Sequence, residues 1–569
     1  MLLPIWRAPN CGIGYLNIGR VDRERRLRES KGVFNARTQE EACITHDMTW
    51  QICHRTNRLL SASLSSIPSP SFPHSSLAAS LSSTNSPVFE RHPSPSMDDG
   101  SLHIVMLPWP AFGHLLPFME LSKRIAQHGH RVSLLVTKRN IQRLPRVPPH
   151  LSSLLRFVEL TMPSIEHLPE NAEASIDLPS DELRPYLRRA FDAFQHQLSS
   201  FLQQTLPRVP DWIVLDYAAY WAPPVAAEFG VPCAFLSLFN AAVMSFLGTP
   251  AALMGGDGAW ATPEQLMELP EWVPFQSTIC FKPYEARELF EPCVLPDASG
   301  VSETYRFGRT MEDCQFTAVR SCPEFEPDWF HLLGKLHKRP VIPVGFFPPS
   351  PQESDTDAEG ESRWRSIFQW LVKQEPGSVV YVAFGSEVKL TSSQVHEIAL
   401  GLERSQLPFV WALRAPADSH GSPAALPEGF EERTEGRGLV CLGWVPQARL
   451  LSHPSVGGFL THAGWNSIIE GLALGLPLVL MPLMFDQGLN ARNLVERKIS
   501  VEVPRNEEDG SFTGEGIATT LRSVMVEEQG QPLRAKAKEC REVFGDEKLN
   551  DLHVWEFLSY LIEHRRQQA

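Results

Sequence analysis

The stretch "LTHAGWNSIIEGLALGLPLVLMPLMFDQG", Leu460 to Gly488, collects polar side chains where a strand gives way to a helix. His462 closes the apolar run "GGFLT"; one small residue and Gly464 follow, and Trp465, Asn466 and Ser467 open the helix. First-turn N–H groups have no acceptor within their own helix and sit at the positive end of its dipole, so an anion such as a phosphate is the ligand that suits them. Two more residues with chemical potential lie far upstream. His114 stands in the loop "PWPAFGHLLPF", and an imidazole of ordinary pKa, about 6.5, can take a proton from a hydroxyl at neutral pH. Asp216 ends "DWIVLD", and a carboxylate is the group that orients and stabilises an imidazolium. Asp211, ahead of that strand, is the alternative.

Elements capable of bringing these residues together are visible along the chain. From His103 onward, apolar runs of strand length alternate with helical periods, the pattern of a parallel sheet covered by helices. The first half carries "LHIVMLP", "RVSLLVT", "DWIVLD" and "VPCAFLSL"; the second carries "SVVYVAFGS", "PFVWALR", "GLVCLGW", "VGGFLT", "PLVLMPL" and "SVEVPR". A Pro-, Ser- and acid-rich stretch separates them and reads as a linker over 346–363. The fold class is therefore α/β, two doubly wound parallel-sheet domains, 99–345 and 364–545, facing across a cleft with ligands at the carboxyl ends of the strands. In "SSQVHEIALGLERSQ", Val395, Ile398 and Leu402 share the face that covers a sheet. Residues 546–569 place Val554, Phe557, Leu558 and Leu561 at helical spacing.

Composition narrows the function. With 569 residues, 43% hydrophobic and 21% charged, and a net charge of −14, the chain is long enough for two globular domains and lacks the clustered basic residues a nucleic acid or anionic membrane requires. The most apolar stretch, Ile468 to Phe485, contains Glu470, Pro477 and Pro482 and is not a membrane span. Ten scattered cysteines form no C-x-x-C pair and no zinc spacing, and read as reduced thiols of a cytoplasmic protein. Residues 1–98 differ from the rest: 61–96 are Ser/Pro-rich and expected to be disordered, and the working protein is expected to begin near Met97. The first turn lacks the G-x-G-x-x-G of a nicotinamide site, and no Walker A, H-E-x-x-H or G-x-S-x-G motif occurs. Asp355 to Asp357 imitate a metal-binding acidic triplet but sit in the linker, so no metal is assigned.

From Trp444 to Gln487 the chain reads "WVPQARLLSHPSVGGFLTHAGWNSIIEGLALGLPLVLMPLMFDQ", 44 residues that resemble the signature box of plant family-1 UDP-sugar-dependent glycosyltransferases in length and at nearly every fixed position. Singly, Trp444 and Trp465 suit a core, and Asn466 and Ser467 suit helix caps; it is their joint spacing that points to a nucleotide sugar. The resemblance implies the GT-B fold of two Rossmann-like domains, with the final helix within 546–569 crossing back to pack on the first. It assigns Trp444 to uracil stacking, Val445 to the uracil edge, and Gln447 and Glu470 to the ribose. His462, Gly464, Asn466 and Ser467 fall to the diphosphate, together with Gly385 and Ser386 of "SVVYVAFGSE". Trp465, Asp486 and Gln487 fall to the transferred sugar. Ala463 stands where the family usually has Cys. His114 matches the family's general base and Asp216 its partner, which implies direct displacement with inversion and neither cofactor nor metal.

"NIQRLPRVPP", "LPENAEASIDLP", "PEGFEERTEGRG", "DQGLNARNL" and "DGSFT" resemble the branch that adds glucose or rhamnose to a sugar already present on a terpenoid or flavonoid. The expected partners are a UDP-sugar and a small-molecule glycoside, with no nucleic acid, and the expected state is a monomer. A UDP-sugar epimerase would not carry the box. A transferase acting on bare aglycones, or an inactive UDP-sugar-binding protein, are the other readings. Trp109, Phe112, Tyr217, Trp221 and Phe239 suit either an acceptor pocket or a core.

Overall fold

Valine, leucine and isoleucine are concentrated in short runs of this chain, and in the computed structural model, which describes residues 100–350, 358–414 and 426–565, those runs are the interiors of two parallel sheets. The first sheet contains β1 (His103–Leu107), β2 (Arg131–Thr137), β3 (Leu155–Leu160), β4 (Trp212–Leu215), β5 (Cys233–Ser237), β6 (Thr317–Val319) and β7 (Val341–Pro343), in the order β3-β2-β1-β4-β5-β6-β7. In the second are β8 (Val379–Ala383), β9 (Phe409–Leu413), β10 (Gly438–Leu442), β11 (Val456–Thr461), β12 (Leu478–Leu480) and β13 (Ser500–Glu502), ordered β10-β9-β8-β11-β12-β13. Each winds outward in both directions from its first strand, so β1 lies between β2 and β4, and β8 between β9 and β11. Those two reversals open crevices at the carboxyl ends of the strands, where ligands of such sheets bind. The fold is α/β of the GT-B kind. Expectations for the disordered N-terminal stretch, the Met97 start and Asp355 to Asp357 lie outside the described residues.

Three strands of the first sheet are missing from the sequence reading. β3 alternates irregularly between buried and exposed positions, and β6 and β7 have three residues each, too few to show a period. A helix Ala358–Leu371 begins inside the stretch read as linker.

Helices complete the two cores. Leu115, Phe118, Met119 and Leu121 of the helix Phe112–Gln127 pack with β1, β2 and β4 and with Val554, Phe557, Leu558 and Leu561 of the helix Glu547–Glu563. Trp212 Nε1 donates to the Leu561 carbonyl at 3.0 Å, and Asn550 Oδ1 accepts from the Phe346 and Phe347 N–H groups at 2.6 and 3.0 Å. The last helix is thus bonded to the first sheet although the chain reaches it from the second. In the second half the helix Ser392–Ser405 buries Val395, Ile398 and Leu402 completely. Contacts between the halves are both polar and apolar: Asn490 with Asn240, Asn493 with Glu326, Glu496 with Ser277 and Thr278, and Trp465 and Phe544 against Phe325 and Phe346. Among the described residues no helix is long and apolar enough to cross a membrane.

Candidate active site

β1 and β4 are neighbours, so the turn after one faces the turn after the other. This places His114, near the start of the helix that follows β1, 2.8 Å by Nδ1 from Asp216 Oδ2 at the end of β4. The carboxylate is locked in turn: the Trp109 N–H donates to Oδ2 at 2.9 Å and the Tyr217 N–H to Oδ1 at 2.8 Å. Asp211, the alternative, is held elsewhere, accepting from the His103 N–H at 2.7 Å and pairing with Arg565. Burial opposes a charge on His114, but Asp216 outweighs it through its charge and hydrogen bond, with Glu387 and Asp486 adding to the effect, and the pKa is raised.

Across the cleft, the reversal beside β8 does the same for the second group. Gly385 and Ser386 follow β8, and His462 to Ser467 follow the adjacent β11. The His462 ring fits against two glycines: a Cβ on Gly385 (φ +74°) would lie 2.5 Å from its Nε2, and one on Gly464 would meet the same atom. Burial lowers the His462 pKa to about 4, so the ring is neutral and adds no positive charge at neutral pH. Gly464 caps the helix Trp465–Ala473 with no side-chain bond to the first turn, and the N–H groups there are the electropositive feature of this corner.

The other donor-side residues lie around the same rim. Trp444 is 58% exposed, an unusual state for a tryptophan, and offers a ring face 6.1 Å from the Phe112 centroid. Val445 is buried beside it. Gln447 Nε2 donates to Glu470 Oε2 at 2.8 Å, joining the two residues assigned to a ribose, and burial raises the Glu470 pKa. Asp486 accepts from Asn490 Nδ2 at 2.7 Å, and burial pushes its pKa up to about 6. Gln487 Oε1 accepts the N–H groups of Leu483 and Met484 at 2.9 and 3.0 Å, which leaves its amide N–H₂ as the end to offer a ligand.

Two residues are more constrained than sequence suggests. The Trp465 indole packs among Phe325, Phe346 and Phe544 and donates Nε1 to the Arg320 carbonyl at 2.8 Å. Both ends of the Asn466 amide are engaged, by Gly113 and Arg320. Every sequence-assigned residue lines a single cavity of about 1240 Å³ except Asp216, which stands behind His114.

Trp109, Phe112, Tyr217 and Phe239, which suit either an acceptor pocket or a core by sequence, line the cavity, whereas Trp221 is not among its lining residues; what sequence reasoning missed is the charged groups beside Tyr217. Tyr217 lies 5.6 Å, centroid to centroid, from His114 and donates its hydroxyl to Glu303 Oε1 at 2.8 Å; Arg188 is held between Glu303 and Asp297. Glu387, next to Ser386, pairs with Arg184 at 3.3 Å. Glu387 lies within "SVVYVAFGSE", whereas Arg184 and Arg188, both on the helix Arg184–Asp192, and Glu303, on the distant helix Glu303–Asp313, carry no local motif. The same cavity is lined by Phe239, Trp260, Phe281, Phe290 and Phe307.

Residues 365–531 match the family described as UDP-glucoronosyl and UDP-glucosyl transferase. UDP-glycosyltransferase 91C1 of Arabidopsis thaliana is 44% identical over 460 residues, 81% of this chain and 96% of that protein. Soyasaponin III rhamnosyltransferase of Glycine max is 39% identical over 473 residues, 83% of this chain and 98% of that protein. Among solved structures, Arabidopsis thaliana UGT89C1 complexed with UDP-L-rhamnose matches with a TM-score of 0.62 and 24% identity, over 81% of this chain and 99% of that one, a likeness of fold.

Proposed function

The chain belongs to the UDP-glycosyltransferase family, and from that premise we propose that it moves a hexose, glucose or rhamnose, from a UDP-sugar to a hydroxyl of a small-molecule glycoside, a terpenoid or flavonoid. The observation that carries the acceptor class is the mixed chemistry of the cavity. Beside His114 its wall is polar and charged, built of Tyr217, Glu303 and Arg188, whereas Phe239, Trp260, Phe281 and Phe290 give it an apolar lining as well. A sugar hydroxyl suits the first surface and an aglycone skeleton the second. The name of the soybean relative, a saponin rhamnosyltransferase, agrees with an acceptor of that kind.

In this reading His114 accepts the acceptor's proton on Nε2, since Nδ1 faces Asp216, and Asp216 stabilises the imidazolium that forms. The hydroxyl oxygen attacks the anomeric carbon, UDP departs from the opposite face, and configuration inverts without a covalent intermediate. Trp444 stacks the uracil and Val445 meets its edge; Gln447 and Glu470 hold the ribose. The diphosphate rests against Gly385, Ser386, His462, Gly464, Asn466 and Ser467, where the helix start offsets its charge in place of a metal. Asp486 and Gln487 receive the sugar hydroxyls, with Trp465 as the floor. Residues 99–345 are taken as the acceptor domain and 364–545 as the donor domain of a cytoplasmic monomer, with 546–569 bracing the first.

Protein starting at Met97 is incubated with UDP-glucose, UDP-rhamnose and UDP-xylose against terpenoid and flavonoid monoglycosides and their aglycones, and product masses are read. A mass gain on glycosides alone is the expected result. A gain on aglycones would move the enzyme to first glycosylation, and absence of product with every donor would leave a UDP-sugar-binding protein. H114A is expected to lower turnover by about a hundredfold or more with UDP binding intact.

A further inference from the structure

Arg320 follows β6 in the first half, lines the cavity and is 2% exposed. Its hydrogen-bond partners among the described residues are neutral: Nε donates to the Phe346 carbonyl at 3.0 Å and Nη1 to Asn466 Oδ1, while the guanidinium lies 4.6 Å from the Phe347 ring centroid. Burial disfavours its charge, and the carboxylates that favour it, Glu470 and Glu120, act through the field alone. A buried cation without a carboxylate bonded to it is a poor way to stabilise a core, so the location calls for another explanation.

Asn466 supplies it. Its Oδ1 accepts from Arg320 and its Nδ2 donates to the Gly113 carbonyl at 2.9 Å, and Gly113 is the residue before His114. The two ends of an amide are not equivalent, since the oxygen only accepts and the nitrogen only donates, and a guanidinium only donates. Arg320 therefore permits one orientation of the Asn466 amide, the one that aims Nδ2 at Gly113. A side chain from the donor half is thus clamped between two elements of the acceptor half, one of which carries the base.

We propose that Arg320 is a positioning residue that fixes the Asn466 amide and, through it, holds the helix start at Gly113 and His114 in register with the donor half. This rests on the transfer reading above. Since misplacement of reacting groups by about 1 Å can cost up to a hundredfold in rate, the effect belongs in kcat and not in donor affinity.

The test is a double-mutant cycle of R320M, which keeps the packing on Phe347, and N466S, with kcat and the Kd for UDP measured for each. The expected result is a fivefold or greater loss of kcat in R320M with Kd within twofold of wild type, and no further loss in R320M/N466S beyond the larger single loss. A smaller loss of kcat, a Kd that weakens in step with kcat, or independent multiplication of the two losses would overturn the assignment; the second of these would make Arg320 a phosphate ligand. A crystal structure of R320M with UDP gives a reading independent of turnover: Asn466 Nδ2 moved beyond about 3.5 Å from the Gly113 oxygen supports the clamp, and an unchanged contact refutes it. Should wild type transfer no sugar, the functional reading fails and that structure still decides the clamp. If R320M does not fold, R320Q, whose amide both donates and accepts and so no longer imposes one orientation on Asn466, is judged by the same kcat, Kd and structural criteria.

Discussion

His114 is a base only while neutral, and its neighbours make it harder to keep neutral. Asp216 raises its pKa against the opposing pull of burial, so activity is lost as pH falls through a value above the ordinary one of about 6.5. The acid limb of kcat/KM is expected on the alkaline side of that value. In D216N the largest raising influence is gone while burial remains and only Glu387 and Asp486 oppose it, so the limb moves to lower pH while kcat falls by about 10²- to 10⁴-fold; a pH–rate profile of the two proteins measures both. Asp486, pushed up to about 6, titrates in the same region, and a wild-type limb steeper than one proton is expected to become single in D486N. At this scale the sequence was most readable where a residue's neighbours in space are its neighbours in the chain. His462 through Ser467 form one turn. Arg320 and Glu303 could not be found in that way, because what gives them meaning is the contact of segments more than a hundred residues apart.

Two corners of the second domain share a construction. Ala463 (φ +64°) lies between β11 and the helix Trp465–Ala473, and Phe485 (φ +52°) between β12 and the helix Gln487–Glu496. In each, one left-handed residue turns the chain so that the following helix start meets the cavity. An L-residue there costs about 1–2 kcal/mol, of which glycine returns about 0.5–1 kcal/mol as extra unfolded-state freedom. A463G also removes a buried methyl group worth about 0.8 kcal/mol, so it is expected to leave stability within about 0.5 kcal/mol of wild type. A463V, bulky and β-branched at a fully buried position, is expected to destabilise the protein by roughly 2–4 kcal/mol; urea unfolding of the pair checks both. Most strands of this domain were legible because they sit in apolar runs bounded by turn residues, and even the three residues of β12 extend into "PLVLMPL". β6, followed at once by Arg320 and Ser321, and β7, bounded by Pro340 and Pro343, stand out from their surroundings less, and it is β6 that delivers Arg320.

The whole molecule is held by a helix that belongs to one half in sequence and to the other in space. Phe557 is fully buried in the first core, and F557A is expected to cost about 3–5 kcal/mol, read as an earlier urea transition by near-ultraviolet circular dichroism. The helix was legible from the apolar spacing of Val554, Phe557, Leu558 and Leu561, whereas its return to the first domain was expected from the family resemblance alone, because nothing local names a partner. The chain therefore passes between the halves twice, once after β7 and again ahead of the helix Glu547–Glu563. Two bodies tied by one tether can twist, slide and splay; tied at two separate places, they keep one easy freedom, a swing about the line joining the ties. Any opening of the cleft is then expected to be chiefly a change of one angle, and a pair of fluorescent labels, one on each half, would report it.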